Sequence, residues 1–340
     1  MGRVLSVVAS ILVVLTIDVC AATAQQPGRV YKLAFLWTGE PGVHLRFEDF
    51  KEGSFAGFRE ALRDSGYVEG KNLVVDIRDA QGDVSRLPSL VEALIAGQPD
   101  VLVTPGTAPT VAAMRATKTI PIVFPGVGTP VERGIVKSLV NHGGNATGQA
   151  VNQYYLKLWQ LLRDAAPTPR RAGWVSYAPN SPDRTPEYRA RRMAQFGKDS
   201  VQAGFELVDL NVDSLDELET KVAALAGAGE AALFVSTDVT LFSWRTRVMA
   251  MATRHRLPTA CTQWFGWGKA GCLITYGEDS SDIGRRAAAQ VVKILNGTRP
   301  ADIPIEQPTK FTLIVNAKTA KQLGLTLPTS MLVLADEVIE

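Results

Sequence analysis

Residues 100–130, DVLVTPGTAPTVAAMRATKTIPIVFPGVGTP, constrain the fold more than any other stretch of this chain. One apolar run, 101–103, stops at Pro105-Gly106, and a second, 120–124, stops at Pro125-Gly126. Apolar residues between the two runs recur at helical spacing. Two such runs joined by a helix predict a β–α–β unit in a parallel sheet. Both loops then follow the carboxyl ends of strands, where open α/β sheets bind their ligands.

The same alternation of strand and helix patterns continues along the chain, in two halves that meet at a turn beginning at His142. In the first half the pattern predicts strands at 31–36, 73–77, 101–103 and 120–124, with helices at 50–65, 87–96 and 131–140. In the second half it predicts helices at 155–165, 186–203, 215–226, 241–255 and 283–295, and strands at 172–176, 206–210, 231–236, 259–262, 273–276 and 312–315. A chain of 340 residues suggests two domains. The sequence therefore predicts the α/β class, with two doubly wound parallel sheets.

The amino terminus is typical of a secretory signal peptide. Arg3 precedes an apolar run, 4–17, and Ala22-Thr23-Ala24 has the form of a cleavage site. We therefore expect residues 1–24 to be removed on export. A membrane anchor is disfavoured because the run is shorter than the roughly 20 apolar residues that a span needs. Lipidation at Cys20 stays open as a lesser alternative, since Val19 is a poor fit before a modified cysteine.

Removal of that segment leaves Cys261 and Cys272 of the three cysteines. An exported protein meets an oxidising compartment, which favours a disulfide between them. Two buried free thiols are the equally weighted alternative.

Composition and motifs exclude several classes of function. The 36 Lys and Arg residues nearly balance the 34 Asp and Glu residues, and no basic cluster is interleaved with aromatics, so we expect no nucleic-acid partner. The three histidines, His44, His142 and His255, have no metal-ligand spacing. The sequence also lacks a nucleophile elbow, a phosphate loop and a dinucleotide fingerprint. We therefore predict no catalytic residue, no metal and no cofactor, and a protein that is not an enzyme.

Polar, glycine and aromatic residues follow six of the expected strands. They are Trp37-Thr38, Gly106-Thr107, Gly128-Thr129, Ser176-Tyr177, Thr237-Asp238 and Gln263-Trp264. Each pair alone is an ordinary loop or helix cap. Together, from two domains, they predict a cleft for a small polar ligand with a hydrophobic body. Asp238 would pair with a cationic group, and Thr107 and Thr129 with nearby backbone N–H groups would hold an anionic end.

Four long stretches, together with spaced strands over nearly the whole mature chain, resemble a known family. The stretches are FREALRDSGYVEGKNLVVD, the run from Pro99 to Gly148 that ends in HGGNATG, ATRHRLPTACTQWFGWGKAGCLITYGED, and KILNGTRPADIPIEQPTKFTLIVNAKTAKQLGL. This pattern is similar to the substrate-binding proteins of ABC transporters that bind aromatic amino acids such as tryptophan. Their fold is the type I periplasmic-binding-protein fold.

The resemblance implies two lobes joined by three crossing segments, with the ligand trapped between them by hinge closure. We expect residues 31–145 plus 279–306 in the first lobe and 147–276 plus 313–340 in the second. The implied location is the periplasm and the implied partner is an ABC permease of the inner membrane. We expect the protein itself to be a monomer.

The family pattern also assigns ligand contacts to the matching positions. They are Thr107 and Thr129 from the first lobe, and Ser176, Asn180, Thr237, Asp238 and Gln263 from the second. The family commonly carries an aspartate where Thr129 stands, so Asp238 is the carboxylate left to pair with an amine. A sensor that feeds a receptor is the alternative function, and an exported α/β hydrolase is a weaker one.

Overall fold

The computed structural model describes residues 28–39, 42–151, 154–177, 186–236, 239–263 and 266–340. Two separate sheets organise this part of the chain, one of five strands and one of seven. Helices cover both faces of each sheet, so the expected α/β class with two lobes is confirmed.

The first sheet is entirely parallel, in the order β2-β1-β3-β4-β5. Its strands are β1 (Tyr31–Trp37), β2 (Leu73–Asp79), β3 (Val101–Val103), β4 (Ile122–Gly128) and β5 (Ala146–Val151). The connecting helices are α1 (Gly53–Asp64), α2 (Leu87–Ala96) and α3 (Thr107–Ala116). The strands β3, β4 and β5 are buried along their whole length, as expected for a sheet that is covered on both faces.

The second sheet has the order β12-β11-β10-β9-β8-β6-β7 and is parallel except where β11 pairs antiparallel with β10. Its strands are β6 (Arg171–Tyr177), β7 (Glu206–Val212), β8 (Ala231–Val235), β9 (Thr259–Thr262), β10 (Ile274–Glu278), β11 (Phe311–Asn316) and β12 (Glu337–Ile339). The helices are α4 (Tyr155–Ala165), α5 (Pro186–Gln202), α6 (Leu215–Gly227), α7 (Val239–Ser243), α8 (Arg245–Arg254), α9 (Trp267–Ala270), α10 (Ser280–Leu295), α11 (Ala317–Leu323) and α12 (Thr329–Leu334).

Helix α10 follows the second sheet in the chain but packs against the first. Its buried residues join the core under α1, and the two helices approach closely. Gly57 and Gly284 permit this approach, because a Cβ atom at either position would clash with a backbone carbonyl of the other helix, at Ser281 or Ser54. The core of the first sheet therefore includes a helix that follows β10 of the second sheet in the chain.

The chain passes between the two sheets three times. The passages lie between β5 and α4, between β10 and α10, and between residue 306 and β11. The sequence assigned residues 147–151 to the second lobe, whereas the structure pairs them with β4 as the edge strand of the first sheet. A strand of mixed small and polar residues such as ATGQAV carries little apolar periodicity, and its place depends on its partner.

The predicted helix at 131–140 is wrong. Residues 131–134 form a single turn, in which the Arg133 N–H donates to the Thr129 carbonyl, and Gly134 then takes a left-handed φ of 69°. In the segment 131–140, Ile135, Val136 and Leu139 pack against the core of the first sheet without forming a helix. The predicted helix at 241–255 is divided at Trp244 into α7 and α8. None of the helices in the described ranges has the length and apolarity required to cross a membrane.

Candidate ligand-binding site

The loops that carry the predicted first-lobe residues lie side by side. Strands β1, β3 and β4 are neighbours in the parallel sheet, so their carboxyl ends meet at one edge. Thr38 follows β1, Gly106 and Thr107 follow β3, and Thr129 follows the last residue of β4, Gly128. The structure therefore brings these five predicted residues to the same edge of the first sheet.

The loop after β3 is organised by Thr110, a residue that sequence patterns did not single out. Its side chain is fully buried, and its hydroxyl lies 2.9 Å from the Thr104 carbonyl oxygen and 2.7 Å from that of Gly106. The Thr104 hydroxyl lies 3.0 Å away on the same side. The buried Thr110 side chain therefore fixes the conformation of the loop. The carbonyl oxygens of residues 104 and 106 point toward α3 rather than toward the cleft.

The amino end of α3 has no side-chain cap among the described residues. Gly106 occupies the N-cap position with φ 88°, which favours glycine, and Thr107 is the first helical residue and is half-buried. The free N–H groups of a first helical turn carry partial positive charge and attract anions. This end of α3 is thus electrostatically suited to a negatively charged group.

Thr129 combines two unusual features. Its φ is 42°, which is rare for a β-branched residue and typically costs on the order of 1–3 kcal/mol. Its hydroxyl oxygen is buried and has no hydrogen-bond partner within the described part of the chain. Backbone strain together with an unsatisfied buried hydroxyl is typical of functional positions.

Thr38 carries a second buried hydroxyl that lacks a partner among the described residues, and the residue is only 3% exposed. Side chains alternate along β1, and Ala34 and Leu36 face the core beneath α2 and α3. Thr38 continues that series, so its hydroxyl belongs to the face of the sheet that α3 covers.

Trp37 lies on the opposite face of the same strand. Its half-buried ring packs edge-on against Phe55 of α1, with ring centres 5.2 Å apart. The ring thus borders the apolar cluster under α1 while part of it stays accessible.

In the second lobe, the residues after β6 and β9 make different contacts. The Ser176 hydroxyl is buried and lies 3.1 Å from the Asn211 side-chain oxygen on β7, so a neighbouring strand already satisfies it. Tyr177 is half-buried and packs edge-on against Trp244, at 5.1 Å between ring centres. Gln263 is half-buried, and its backbone N–H extends the pairing of β9 by donating to the Tyr276 carbonyl.

Four predicted site residues, Asn180, Thr237, Asp238 and Trp264, lie outside the described ranges, as do Cys20 and the segment 1–24. Trp244 was not predicted, because it appeared to be an interior residue of one continuous helix. In the structure it stands at the junction of α7 and α8, next to Tyr177.

A disulfide joins Cys261 of β9 to Cys272, with their Cα atoms 6.4 Å apart, and decides between the two alternatives for these cysteines. The bridge closes the loop that carries Gln263 and α9. From α9 the Lys269 ammonium reaches the Glu52 carboxylate at the start of α1, at 3.5 Å. The two lobes therefore approach each other at this end of the cleft.

The described residues contain no cluster of three or more His, Cys, Asp or Glu side chains that could hold a metal ion. The first-lobe part of the site consists of hydroxyl groups, backbone N–H groups and aromatic surface. Such groups bind and orient a ligand through hydrogen bonds and buried apolar area.

Residues 49–339 match the family described as ABC transporter substrate binding protein. That match covers well over half of the chain. The chain belongs to the ABC transporter substrate-binding protein family. It is also 28% identical, over 269 residues, to a tyrosine-binding protein of Clostridioides difficile. This alignment covers 79% of this chain and 76% of the relative.

Solved structures of similar proteins share the fold of this substrate-binding protein. A conserved domain protein from Vibrio cholerae superposes with a TM-score of 0.80 at 26% identity, over 91% of this chain and all of the other. A ligand-free, open substrate-binding protein with adhesive properties from Clostridium difficile superposes with a TM-score of 0.65 at 26% identity. The match covers 92% of this chain and 99% of the other. An ABC domain from Streptococcus pneumoniae in complex with L-Trp superposes with a TM-score of 0.79 at 23% identity, over 91% of this chain and 100% of the other. At this identity the similarity is one of fold.

Proposed function

We propose that this protein captures a small carboxylate-bearing solute between its two lobes and delivers it to an ABC permease. The observation that carries the proposal is Thr129, whose strained backbone holds a buried hydroxyl with no hydrogen-bond partner among the described residues, at the edge of the first sheet. Strained backbone conformations persist only where the surrounding structure holds them, and they are concentrated at functional sites. We therefore interpret the strain at Thr129 as a feature of a ligand-binding position.

The carboxylate end of the ligand is assigned to the first lobe. Within the described part of the chain, the Thr38 and Thr129 hydroxyls have no hydrogen-bond partner and the amino end of α3 has no side-chain cap, so these hydroxyls can donate and α3 supplies backbone N–H groups and a favourable dipole. No carboxylate of the protein is needed there, which agrees with threonine at position 129. A negative side chain at this position would repel a carboxylate beside it.

The opposite end of the ligand would meet the second lobe. Tyr177 and Trp244 offer aromatic surface near the end of β6, and Trp37 offers it from the first lobe. Aromatic faces favour flat or apolar ligand bodies. Together with the tyrosine-binding relative, these contacts favour an amino acid with a flat side chain, with Asp238 as the proposed partner of its amine.

We also propose the location and partners that the sequence predicts. Residues 1–24 act as a signal peptide, the mature protein works as a monomer in the periplasm, and a permease of the inner membrane receives the ligand. The lobes are divided as the sequence predicts, with β5 joined to the first. Amino-terminal sequencing of the secreted protein should give Gln25 as the first residue, whereas a lipid-modified Cys20 would contradict this part of the proposal.

A thermal-shift screen followed by calorimetry tests the ligand class. The screen contains L-tyrosine, L-tryptophan, other amino acids, and matched pairs of aromatic acids and their amides. Because a ligand of the folded state raises the melting temperature by mass action, a binder is recognised by its shift. We expect carboxylates to bind and their amides to fail. Tight binding of amides would contradict the assignment of an anionic end to the first lobe.

An uptake assay distinguishes a role in transport from a role in sensing. Cells that lack the protein should lose import of the radiolabelled ligand and regain it when the protein is supplied. Normal uptake in its absence would instead favour the alternative of a sensor that feeds a receptor.

A further inference from the structure

The first lobe has a carboxylate, that of Asp79, beside the Trp37 ring. Asp79 is the last residue of β2 and the register partner of Trp37 in the parallel ladder. Side chains alternate along β2, and Leu73, Val75 and Ile77 contact the apolar cluster under α1 that the Trp37 ring also borders. Asp79 continues that series, so its carboxylate and the Trp37 ring are neighbours on the same face of the sheet.

One oxygen of the Asp79 carboxylate is used within the protein. Oδ1 accepts hydrogen bonds from the backbone N–H of Gln81, at 3.2 Å, and from its side-chain amide. The same amide accepts the Gly42 N–H at 2.7 Å and donates to the Val43 carbonyl at 2.9 Å. Gln81 has a φ of 53°, which is uncommon for a residue other than glycine. These contacts fix the orientation of the carboxylate and join the loop after β1 to the end of β2.

The other oxygen, Oδ2, makes no hydrogen bond within the described part of the chain. The His44 imidazole lies 3.5 Å from it, on a side chain that is 78% exposed, whereas the Asp79 side chain is only 11% exposed. No side chain covers the carboxylate from Gly39, which has a φ of 72° and where a Cβ atom would lie 2.9 Å from that of Asp79. Oδ2 is therefore held in a fixed orientation and can accept a hydrogen bond from a ligand.

The place of Asp79 in the sheet fits the length of an aromatic amino acid. Strand β1 lies between β2 and β3, and neighbouring strands are about 4.8 Å apart, so the ends of β2 and β3 are separated by roughly 10 Å. The amino end of α3, which follows β3, is the proposed site of the ligand carboxylate. An amino acid that places its carboxylate there and its ring against Trp37 can bring the far edge of that ring to Asp79.

We propose that Asp79 determines ligand specificity by accepting a hydrogen bond from an O–H or N–H group on the ring of the ligand. This inference rests on the proposed function and narrows the ligand class to flat side chains that carry a donor, such as a phenol or an indole. A plain phenyl ring would displace water from the carboxylate and offer no hydrogen bond in return, so the site selects against it.

Calorimetry with L-tyrosine and L-phenylalanine tests this inference, because the two amino acids differ only by the phenol hydroxyl. The wild type should bind L-tyrosine about tenfold more tightly or better, since the hydrogen bond is made to a charged group. Asp79→Ala should abolish the preference by weakening L-tyrosine alone, and Asp79→Asn, which keeps the shape and a neutral acceptor, should give an intermediate preference. Asp76→Asn is the matched control, because Asp76 lies on the opposite face of β2 and pairs with Arg78. It should keep the full preference.

Two results would overturn the inference and leave the proposed function standing. One is equal binding of L-tyrosine and L-phenylalanine by the wild type. The other is an equal loss of both ligands in Asp79→Asn, which would show that Asp79 only holds Gln81 and its loop. A wild type that binds no carboxylate in the thermal-shift screen would instead overturn the proposed function and this inference together.

Discussion

The disulfide between Cys261 and Cys272 encloses the loop that carries Gln263, and both of its cysteines are completely buried. The bridge ties Cys261, inside β9, to Cys272, two residues before β10 begins at Ile274. The loop that carries Gln263, a proposed ligand contact, is thereby tied to its own sheet. The same loop carries Lys269, which reaches the first lobe, so the bridge supports a contact between the lobes.

Removal of this bridge should lower stability. We expect Cys261→Ser with Cys272→Ser to lose about 2–3 kcal/mol of unfolding free energy, because a cross-link with 11 residues of separation restricts the unfolded chain. Denaturant unfolding with and without reductant measures the loss. Hydrogen exchange should rise first in residues 263–271. A wild-type protein that is equally stable in reductant would contradict the prediction.

Thr129→Gly should separate stability from binding. Glycine adopts φ 42° without strain, so the ligand-free variant should be as stable as the wild type or more stable by up to about 1 kcal/mol. Ligand affinity should fall about tenfold or more, because a hydrogen bond to a charged group is lost. Calorimetry and thermal unfolding provide the two measurements. Thr129→Ser keeps the hydroxyl and should bind normally, whereas a destabilised glycine variant with full affinity would remove Thr129 from the site.

Thr110→Val should disorganise the loop after β3. Valine has a similar shape but removes the hydroxyl that lies 2.9 Å from the buried Thr104 carbonyl oxygen and 2.7 Å from that of Gly106, which costs about 1–3 kcal/mol. Ligand binding should weaken as well, because the loop leads into α3. Thr110→Ser is the matched control and should retain most of both properties. An unchanged melting temperature in the valine variant would contradict this role.

Asp282 should make stability depend on acid pH. Burial raises the pKa of this carboxyl, but the hydrogen bond from Arg286 at 2.7 Å and the nearby charges of Arg286 and Lys310 outweigh it, and the pKa lies below its ordinary value of 3.8. The stabilisation is therefore complete above 3.8 and disappears as pH falls through the lower, folded-state pKa.

Asp282→Asn should accordingly be less stable than the wild type by about 2 kcal/mol at neutral pH, with the difference shrinking as the pH falls below 3.8 and the carboxylate is protonated. Asp302→Asn, whose partner Arg299 is exposed, is the comparison and should change the melting temperature little. Urea unfolding across this pH range decides the matter. A difference that persists at the acid end would show that the charge of Asp282 is not its cause.

Local patterns in the sequence determined the fold class and which loops of the first sheet carry the proposed site residues. The stretch 100–130 predicts strand, helix and strand, and the structure has β3, α3 and β4 there, because apolar periodicity and Gly-Pro boundaries act over a few residues. The same reasoning placed Thr38, Thr107 and Thr129 after strands, and neighbouring strands of a parallel sheet bring their ends together.

Tertiary structure alone decided the contacts between distant segments. The polar strand β5 belongs to the first sheet because β4 supplies its partner, and α10 returns to α1 because Gly57 and Gly284 let their backbones meet. Neither arrangement can be predicted from the local periodicity of apolar residues. The positive φ of Thr129, and the burial of a hydroxyl that has no partner in the described ranges, likewise depend on the surrounding packing, which selects one backbone conformation against the intrinsic preference of threonine.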